Sequence, residues 1–164
     1  LLKVKFPMEL FILTRGATAL VNLGYSLVAY GVMLVVFQVP LRWTLVYLPV
    51  VVACLFLFAL GISYLLSAAY VFFGDIKHLY SVALTLWMYC SAIFYPADQL
   101  SGFIRQVVEA NPLYLYIRCL RGAVMEGLPP AGWELGLMTA WGVGVYLLGW
   151  GVFRRLREKL LLRL

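Results

Sequence analysis

Few side chains in this sequence could perform acid–base, nucleophilic or metal chemistry. The sole histidine, His78, stands beside Asp75 and Lys77 in a short polar turn, with no second histidine, nucleophilic serine motif or carboxylate pair to accompany it. Because general acid–base catalysis needs a positioned partner, we expect a solvated histidine in a loop. Glu134 stands at the rim of an apolar run, where an interfacial carboxylate is expected. The sequence therefore predicts no catalytic residue.

The sequence contains neither a metal-ligand pattern nor a phosphate-binding loop. Cys54, Cys90 and Cys119 lack the spacing of metal ligands, and the first two lie in apolar runs, so we expect ordinary packing. The G-x-x-x-x-G-K-S/T loop that cradles nucleotide phosphates does not occur. We therefore expect no metal or cofactor in this chain. If it belongs to a pump, ATP and Mg are handled by a separate partner subunit.

The composition is that of an integral membrane protein. Apolar residues make up 65% of the chain and the mean hydropathy is +0.96, whereas soluble domains contain about 45–50% apolar residues. The basic residues, which give a net charge of +6, fall in two end clusters and a few loops, without the aromatic-interleaved basic face of a nucleic-acid binder. We predict an all-α, polytopic membrane protein without a nucleic-acid partner.

Four apolar runs approach the roughly 20 residues that a helix needs to cross about 30 Å of hydrocarbon. We predict transmembrane helices over residues 17–39, 44–73, 79–95 and 133–153. The segment 1–16 then lies at the cytoplasmic surface and 154–164 forms a basic cytoplasmic tail. This orientation places nine of the 13 Lys and Arg residues in the cytoplasm, as the positive-inside rule requires.

Residues 97–128, between the third and fourth predicted spans, carry two short amphipathic helical patterns. In the first, apolar residues recur at helical spacing from Leu100 to Val108. The second has Asn111 as a predicted N-cap, Pro112 as its first residue and Gly127 as its stop. The result is an outer helical hairpin. It either lies on the membrane surface or re-enters the bilayer, where protein or water would surround the irregular backbone.

Four segments resemble, in their order and spacing, the type-2 ABC-transporter permeases that export polysaccharides such as O-antigen and teichoic acid. They are KVKFPMELF, FGDI, SAIFYP and ANPLYLYIRCLRG. Since these permeases have six spans, the chain, residues 1–164, resembles the C-terminal two thirds of one such transmembrane domain. It departs from the family at Gly74, where a basic residue often precedes the Asp.

The resemblance implies a bacterial inner-membrane protein with both termini of this chain in the cytoplasm. It also implies a permease homodimer, an ATP-binding cassette subunit as partner, and a lipid-linked glycan as cargo. The segment 1–16 would touch the ATP-hydrolysing subunit, with Phe6, Pro7 and Glu9 in the coupling surface. The chain itself would be a transport subunit and not an enzyme.

Aromatic residues concentrate towards the predicted outer half of the spans. An interfacial aromatic belt explains such a distribution. Alternatively, some of the rings line a path along which they stack on sugar faces, while tyrosine hydroxyls bond sugar hydroxyls. The candidates for such a path are Trp87, Tyr89, Phe94, Tyr95, Tyr114 and Tyr116.

Small residues recur every four positions in the last predicted span, at Gly132, Gly136, Ala140 and Gly144. Such a ridge lets another helix approach closely in lipid. We expect it to pack within the protomer, with a dimer seam as the alternative.

The sequence thus predicts a permease subunit of an ABC exporter for a lipid-linked polysaccharide of the O-antigen, teichoic acid or capsule type. Two alternatives remain: an ABC-2 permease for a drug, haem or lipid, and a membrane-embedded transferase. The transferase would require polar catalytic residues clustered at one interface, which the sequence does not supply.

Overall fold

The computed structural model describes residues 9–38, 42–72, 76–91, 100 and 102–161, and within them every regular element is helical. Three helices are long and apolar enough to cross a membrane: Glu9–Val36, Trp43–Tyr70 and Gly132–Leu156. The predicted all-α, polytopic class is therefore confirmed. The chain divides into two compact units, Leu1–Arg42 and Trp43–Leu164, and each is described by itself.

The first unit contains one long helix, α1, Glu9–Val36. Its predicted span began at residue 17, but the helix already starts at Glu9, so part of the expected surface segment is continuous with the span. Polar side chains do not interrupt it because their hydroxyls bond the carbonyl one turn back: Thr14 donates to Leu10 (2.7 Å) and Thr18 to Thr14 (2.9 Å). Such pairing keeps these groups satisfied in an apolar environment.

The second unit is built on two parallel helices, α2 (Leu48–Phe72), which follows a 3₁₀ turn at Trp43–Tyr47, and α6 (Gly132–Leu161). They touch where a glycine of one helix meets the backbone of the other. A Cβ on Gly142 would lie 2.7 Å from the Cys54 carbonyl oxygen, and one on Gly61 would lie 2.5 Å from the Tyr146 nitrogen. Glycine therefore lets the two backbones meet directly, a mode of packing that suits lipid, where close van der Waals contact drives association.

Three shorter helices complete the second unit: α3 (Ile76–Tyr89), α4 (Gly102–Glu109) and α5 (Pro112–Arg121). The α5 helix continues into a π-helical turn, Gly122–Glu126, and ends at Gly127, whose φ of 72° is left-handed. Glycine adopts that conformation without the penalty that a Cβ brings. The predicted cap at Asn111 and the predicted stop at Gly127 are both confirmed.

The core lies between α2, α5 and α6. Its buried members are Val51, Phe58, Leu115, Tyr116, Cys119 and Met138. A smaller cluster joins the hairpin helices, where Val108 of α4 packs with Tyr114 of α5. The hairpin is thus anchored to the two long helices and does not lie loosely over them.

Candidate functional site

Helix α5 packs against α2 and α6 along the first half of α2. Its C-terminal end lies beside the start of α2, where the hydroxyl of Thr44 donates to the carbonyl of Ala123 (2.7 Å). Near its N-terminal end, the ring of Tyr116 lies 5.7 Å from that of Phe58, and Phe58 stands in the middle of the Trp43–Tyr70 span. Helix α5 therefore lies beside the first half of the Trp43–Tyr70 helix, as the re-entrant alternative requires.

The described part of helix α3 ends at the same level. Its 14 residues extend about 21 Å at 1.5 Å per residue, short of the roughly 30 Å hydrocarbon core. Near its C-terminal end, the ring of Trp87 lies 6.3 Å from that of Phe58, edge to face. The described helix ends at Tyr89, where hydrogen-bonded turns at Cys90 and Ser91 follow, and the predicted boundary at Tyr95 falls outside the described residues. Residues 92–99 lie outside the described part of the chain.

A single side chain, Asn111, joins the end of α3 to the start of α5. Its Oδ1 accepts from the indole nitrogen of Trp87 (2.9 Å) and from the backbone nitrogen of Leu113 (3.0 Å). Its Nδ2 donates to the carbonyl of Cys90 (3.1 Å) and to the hydroxyl of Ser91 (3.0 Å). The amide thus caps one helix and satisfies a carbonyl at the end of another.

The hydrogen bonds of the Asn111 amide satisfy backbone groups at two helix ends, which an apolar environment would leave unpaired. A helix end leaves unpaired carbonyl or amide groups, and lipid offers them no partner. Ser91, which has no exposed surface, donates its hydroxyl to the Trp87 carbonyl (2.6 Å) and so satisfies a second carbonyl in the last turn of α3. Polar groups within an apolar environment are costly unless paired, and the groups here pair with one another.

An apolar groove of about 260 Å³ lies between α2 and α3, with the start of α5 at one end. The polar atoms in its wall include the hydroxyl of Ser63, which donates to the Ala59 carbonyl (2.8 Å). The lining residues are Leu55, Phe58, Ala59, Ile62, Ser63, Tyr80, Leu84, Trp87, Met88 and Leu113. The groove thus separates much of α3 from α2, and the contacts of Trp87 close its end.

At the other end of α5, an ion pair ties the hairpin to α6. Arg118 pairs with Glu134, whose side chain is 13% exposed and also accepts from the backbone nitrogen of Ala131 (2.8 Å). The Arg118 guanidinium lies 5.7 Å from the Trp133 ring centroid, within cation–π range. The predicted interfacial Glu134 therefore caps its helix and holds the hairpin, a pairing that the sequence did not reveal.

The six aromatic residues that the sequence offers as candidates for lining a path differ in their burial. Tyr116 has no exposed surface and donates its hydroxyl to the Met138 carbonyl (2.7 Å), and Tyr114 is only 9% exposed. The prediction that these two line a path is wrong for this arrangement, because both rings pack in the interior. Trp87 is half-buried with its nitrogen bonded, whereas Tyr89 is 56% exposed. Phe94 and Tyr95 fall outside the described residues.

Of the predicted coupling residues, only Glu9 is described. It is the first residue of α1 and is half-buried. Phe6 and Pro7 lie outside the described residues, as does Asp75. The expected loop position of His78 is wrong, because its backbone lies in the first turn of α3.

The predicted small-residue ridge lies on the side of α6 that faces away from α2. Within the described residues, a Cβ on Gly132, Gly136 or Gly144 would meet nothing within 4 Å, and Ala140 is exposed. The residues that approach α2 are Gly142 and Gly149. Packing of this ridge within the protomer therefore stays a prediction, although α2 is not its neighbour: four-residue spacing identifies a face of small residues but not the neighbour of that face.

Comparisons with known proteins place these features among transporters. The sequence profile of the ABC-2 type transporter family matches residues 6–125. The O-antigen export system permease protein RfbA of Myxococcus xanthus is 28% identical over 168 residues, covering 97% of this chain and 62% of that protein. A protein of the same name from Klebsiella pneumoniae is 25% identical over 113 residues, covering 68% of this chain and 43% of its own length. The chain thus spans less than two thirds of these relatives. No solved structure gives a significant match.

Proposed function

Because this chain belongs to the ABC-2 type transporter family, with residues 6–125 matching its profile, we propose that it forms part of the permease subunit of an ATP-driven exporter. The cargo that we assign is a lipid-linked polysaccharide of the O-antigen class. The cargo assignment rests on the names of the relatives, which are O-antigen export permeases from two bacterial genera. The membrane is then the bacterial inner membrane, with both termini of this chain in the cytoplasm.

The observation that carries the proposal is the broken span formed by α3 and α5. Among membrane proteins, helices that end at mid-depth are tolerated where protein buries them or where they border a path or a binding site, since lipid cannot satisfy their free backbone groups. Here the two half-helices meet beside Phe58, in the middle of α2.

The energy source that we propose is a separate ATP-binding cassette subunit, which holds ATP and Mg. The sequence contains no G-x-x-x-x-G-K-S/T phosphate loop, and the family name itself implies such a partner. Phe6, Pro7 and Glu9 remain our candidates for the surface that this subunit contacts. Two permease copies would enclose the path, and Trp87, Tyr89, Phe94 and Tyr95 remain the candidate aromatic residues along it.

The test uses the full-length permease, co-purified with its ATP-binding subunit and placed in lipid nanodiscs. ATP hydrolysis is measured with and without an undecaprenyl-diphosphate-linked O-antigen glycan. We expect the glycan to stimulate hydrolysis in the wild-type complex. Glu9→Gln should reduce that stimulation if Glu9 contacts the partner subunit, whereas Glu109→Gln, an exposed carboxylate of the hairpin, serves as the matched control.

The outcomes separate the parts of the proposal. A complex that forms and hydrolyses ATP but ignores the glycan would contradict the assigned cargo and favour a drug, haem or lipid substrate. Failure of the two subunits to associate would contradict the exporter assignment itself. A Glu9→Gln complex with unchanged stimulation would remove Glu9 from the coupling surface and leave the cargo assignment intact.

A further inference from the structure

Asn111 makes more contacts than a helix cap requires. Capping α5 uses one hydrogen bond, from the Leu113 nitrogen to Oδ1. The other three bonds go to the last turn of α3: to the Trp87 indole, the Cys90 carbonyl and the Ser91 hydroxyl. We infer that Asn111 is a positioning residue, a latch that holds the broken end of α3 against α5, and that this latch releases when cargo passes. The inference rests on the proposed export function.

Helix α5 belongs to the fixed side of this junction. It is bonded to α6 through the Tyr116 hydroxyl and the Arg118–Glu134 pair, and to the start of α2 through Thr44. Its buried face forms part of the same core as α2 and α6. A movement of α5 would therefore have to break buried contacts along its whole length.

Helix α3 is the more weakly held side. The apolar groove lies between it and α2, and four of its residues are exposed to half or more of their surface: Leu79, Val82, Leu86 and Tyr89. At its C-terminal end, its described ties to the second unit include the Trp87–Phe58 ring contact and the Asn111 bonds. The junction at Asn111 is thus a joint at which α3 can separate from the body.

The chemistry of the joint suits reversible opening. Its bonds are neutral hydrogen bonds, each of which shifts an equilibrium by about fivefold and can be exchanged for bonds to water. A hydroxyl-rich cargo can offer donors and acceptors of the same kind to the amide, the indole and the serine. The backbone contacts between α2 and α6 cannot be exchanged in this way, because they contain no side chain.

The first experiment releases the latch while keeping the cap. In Asn111→Ser, the shorter side chain still caps α5, since serine is as good an N-cap as asparagine, but it no longer reaches α3. With three neutral bonds lost, we expect the cargo-free ATPase rate of the full complex to rise and stimulation by the glycan to fall at least about tenfold. Thr85→Ala, which removes a hydroxyl bonded only within α3, is the matched control and should leave stimulation unchanged.

The second experiment locks the joint. Asn111→Cys places a thiol beside Cys90, and a short bifunctional thiol reagent joins the two. We expect glycan transport to fall at least about tenfold below the rate of the same variant before cross-linking and to recover that rate on reduction, while cargo-free ATP hydrolysis continues. The same variant with Cys90→Ala should not respond to the reagent. A locked complex that transports at the unlocked rate would overturn the inference, as would unchanged glycan stimulation in Asn111→Ser.

A third experiment tests the latch independently of the assigned cargo. The rate of cross-linking between Cys90 and the introduced thiol is measured with the complex free of nucleotide and with trapped nucleotide, in the absence of glycan. We expect the rate to change about tenfold if the joint opens during the cycle. A wild-type complex that ignores the glycan, combined with a nucleotide-dependent rate, would refute the cargo but support the latch. A rate that is the same in both states would refute the latch.

Discussion

Replacing Gly149 with Ala should loosen the contact between α2 and α6. A Cβ at this position would overlap the carbonyl oxygen of Gly61 and lie 2.9 Å from its carbonyl carbon. Both are backbone atoms, so no rotamer change relieves the overlap and the helices must separate locally. Overpacking of this kind costs about 1–3 kcal/mol.

The matched control is Gly144→Ala, on the opposite face of the same helix, where a Cβ would meet nothing within 4 Å. Both substitutions gain the same intrinsic helix propensity, up to about 1 kcal/mol. The difference between the two variants therefore isolates the steric cost. We expect Gly149→Ala to be less stable than Gly144→Ala by about 1–3 kcal/mol.

The assay is unfolding of the purified full-length protein in mixed detergent micelles, from which the free energy of unfolding is obtained. Gly61→Ala should also destabilise, and the double variant with Gly149→Ala should cost less than the sum, because the first Cβ has already separated the helices. If Gly149→Ala and Gly144→Ala agree within about 0.5 kcal/mol, the two backbones do not approach as the structure has them.

Three further substitutions test the anchoring of the hairpin by the same unfolding assay. Tyr116→Phe should lower the free energy of unfolding by about 1 kcal/mol, because one buried hydrogen bond to α6 is lost; Tyr25→Phe in α1, an exposed ring, should not. Glu134→Gln should destabilise by roughly 1 kcal/mol or less, with a smaller loss at high salt, because Arg118 then lacks its ionic partner; no salt dependence would contradict a role for charge. Gly127→Ala should cost about 1–2 kcal/mol, since its φ of 72° is left-handed, and an unchanged stability would argue against that conformation.

Local features of the chain were predictable from the sequence because their causes are local. The lengths of the apolar runs predicted membrane-spanning helices, and the structure has helices of sufficient length at Glu9–Val36, Trp43–Tyr70 and Gly132–Leu156. The Asn111-Pro112 pair predicted the start of α5. The family inferred from four short segments is also confirmed. The spans and the cap depend on residues that are close together along the chain, whereas the family resemblance depends on the order and spacing of four segments.

Features that depend on tertiary contacts were not predictable. Trp87 and Asn111 are 24 positions apart, and no periodicity relates them. The last span carries small residues on two faces, and only the structure distinguishes the one that meets α2, with Gly142 and Gly149, from the one that includes Gly136. Tyr116 could equally have faced a path, because a helix enclosed by other helices buries residues on several sides.

The second unit therefore contains two joints of different chemistry. Between α2 and α6 the contact is backbone against backbone at Gly61 and Gly149, and any separation there leaves a void that no side chain fills. Between α3 and α5 the contact is a set of neutral hydrogen bonds around Asn111, beside an apolar groove. The atoms that line a void lose their van der Waals contacts outright, whereas a hydrogen-bonding group that loses one partner can bond to another. Movement within this unit should therefore occur at the second joint while the first stays closed, and substitutions at Asn111 should alter transport more than stability, with the reverse at Gly149.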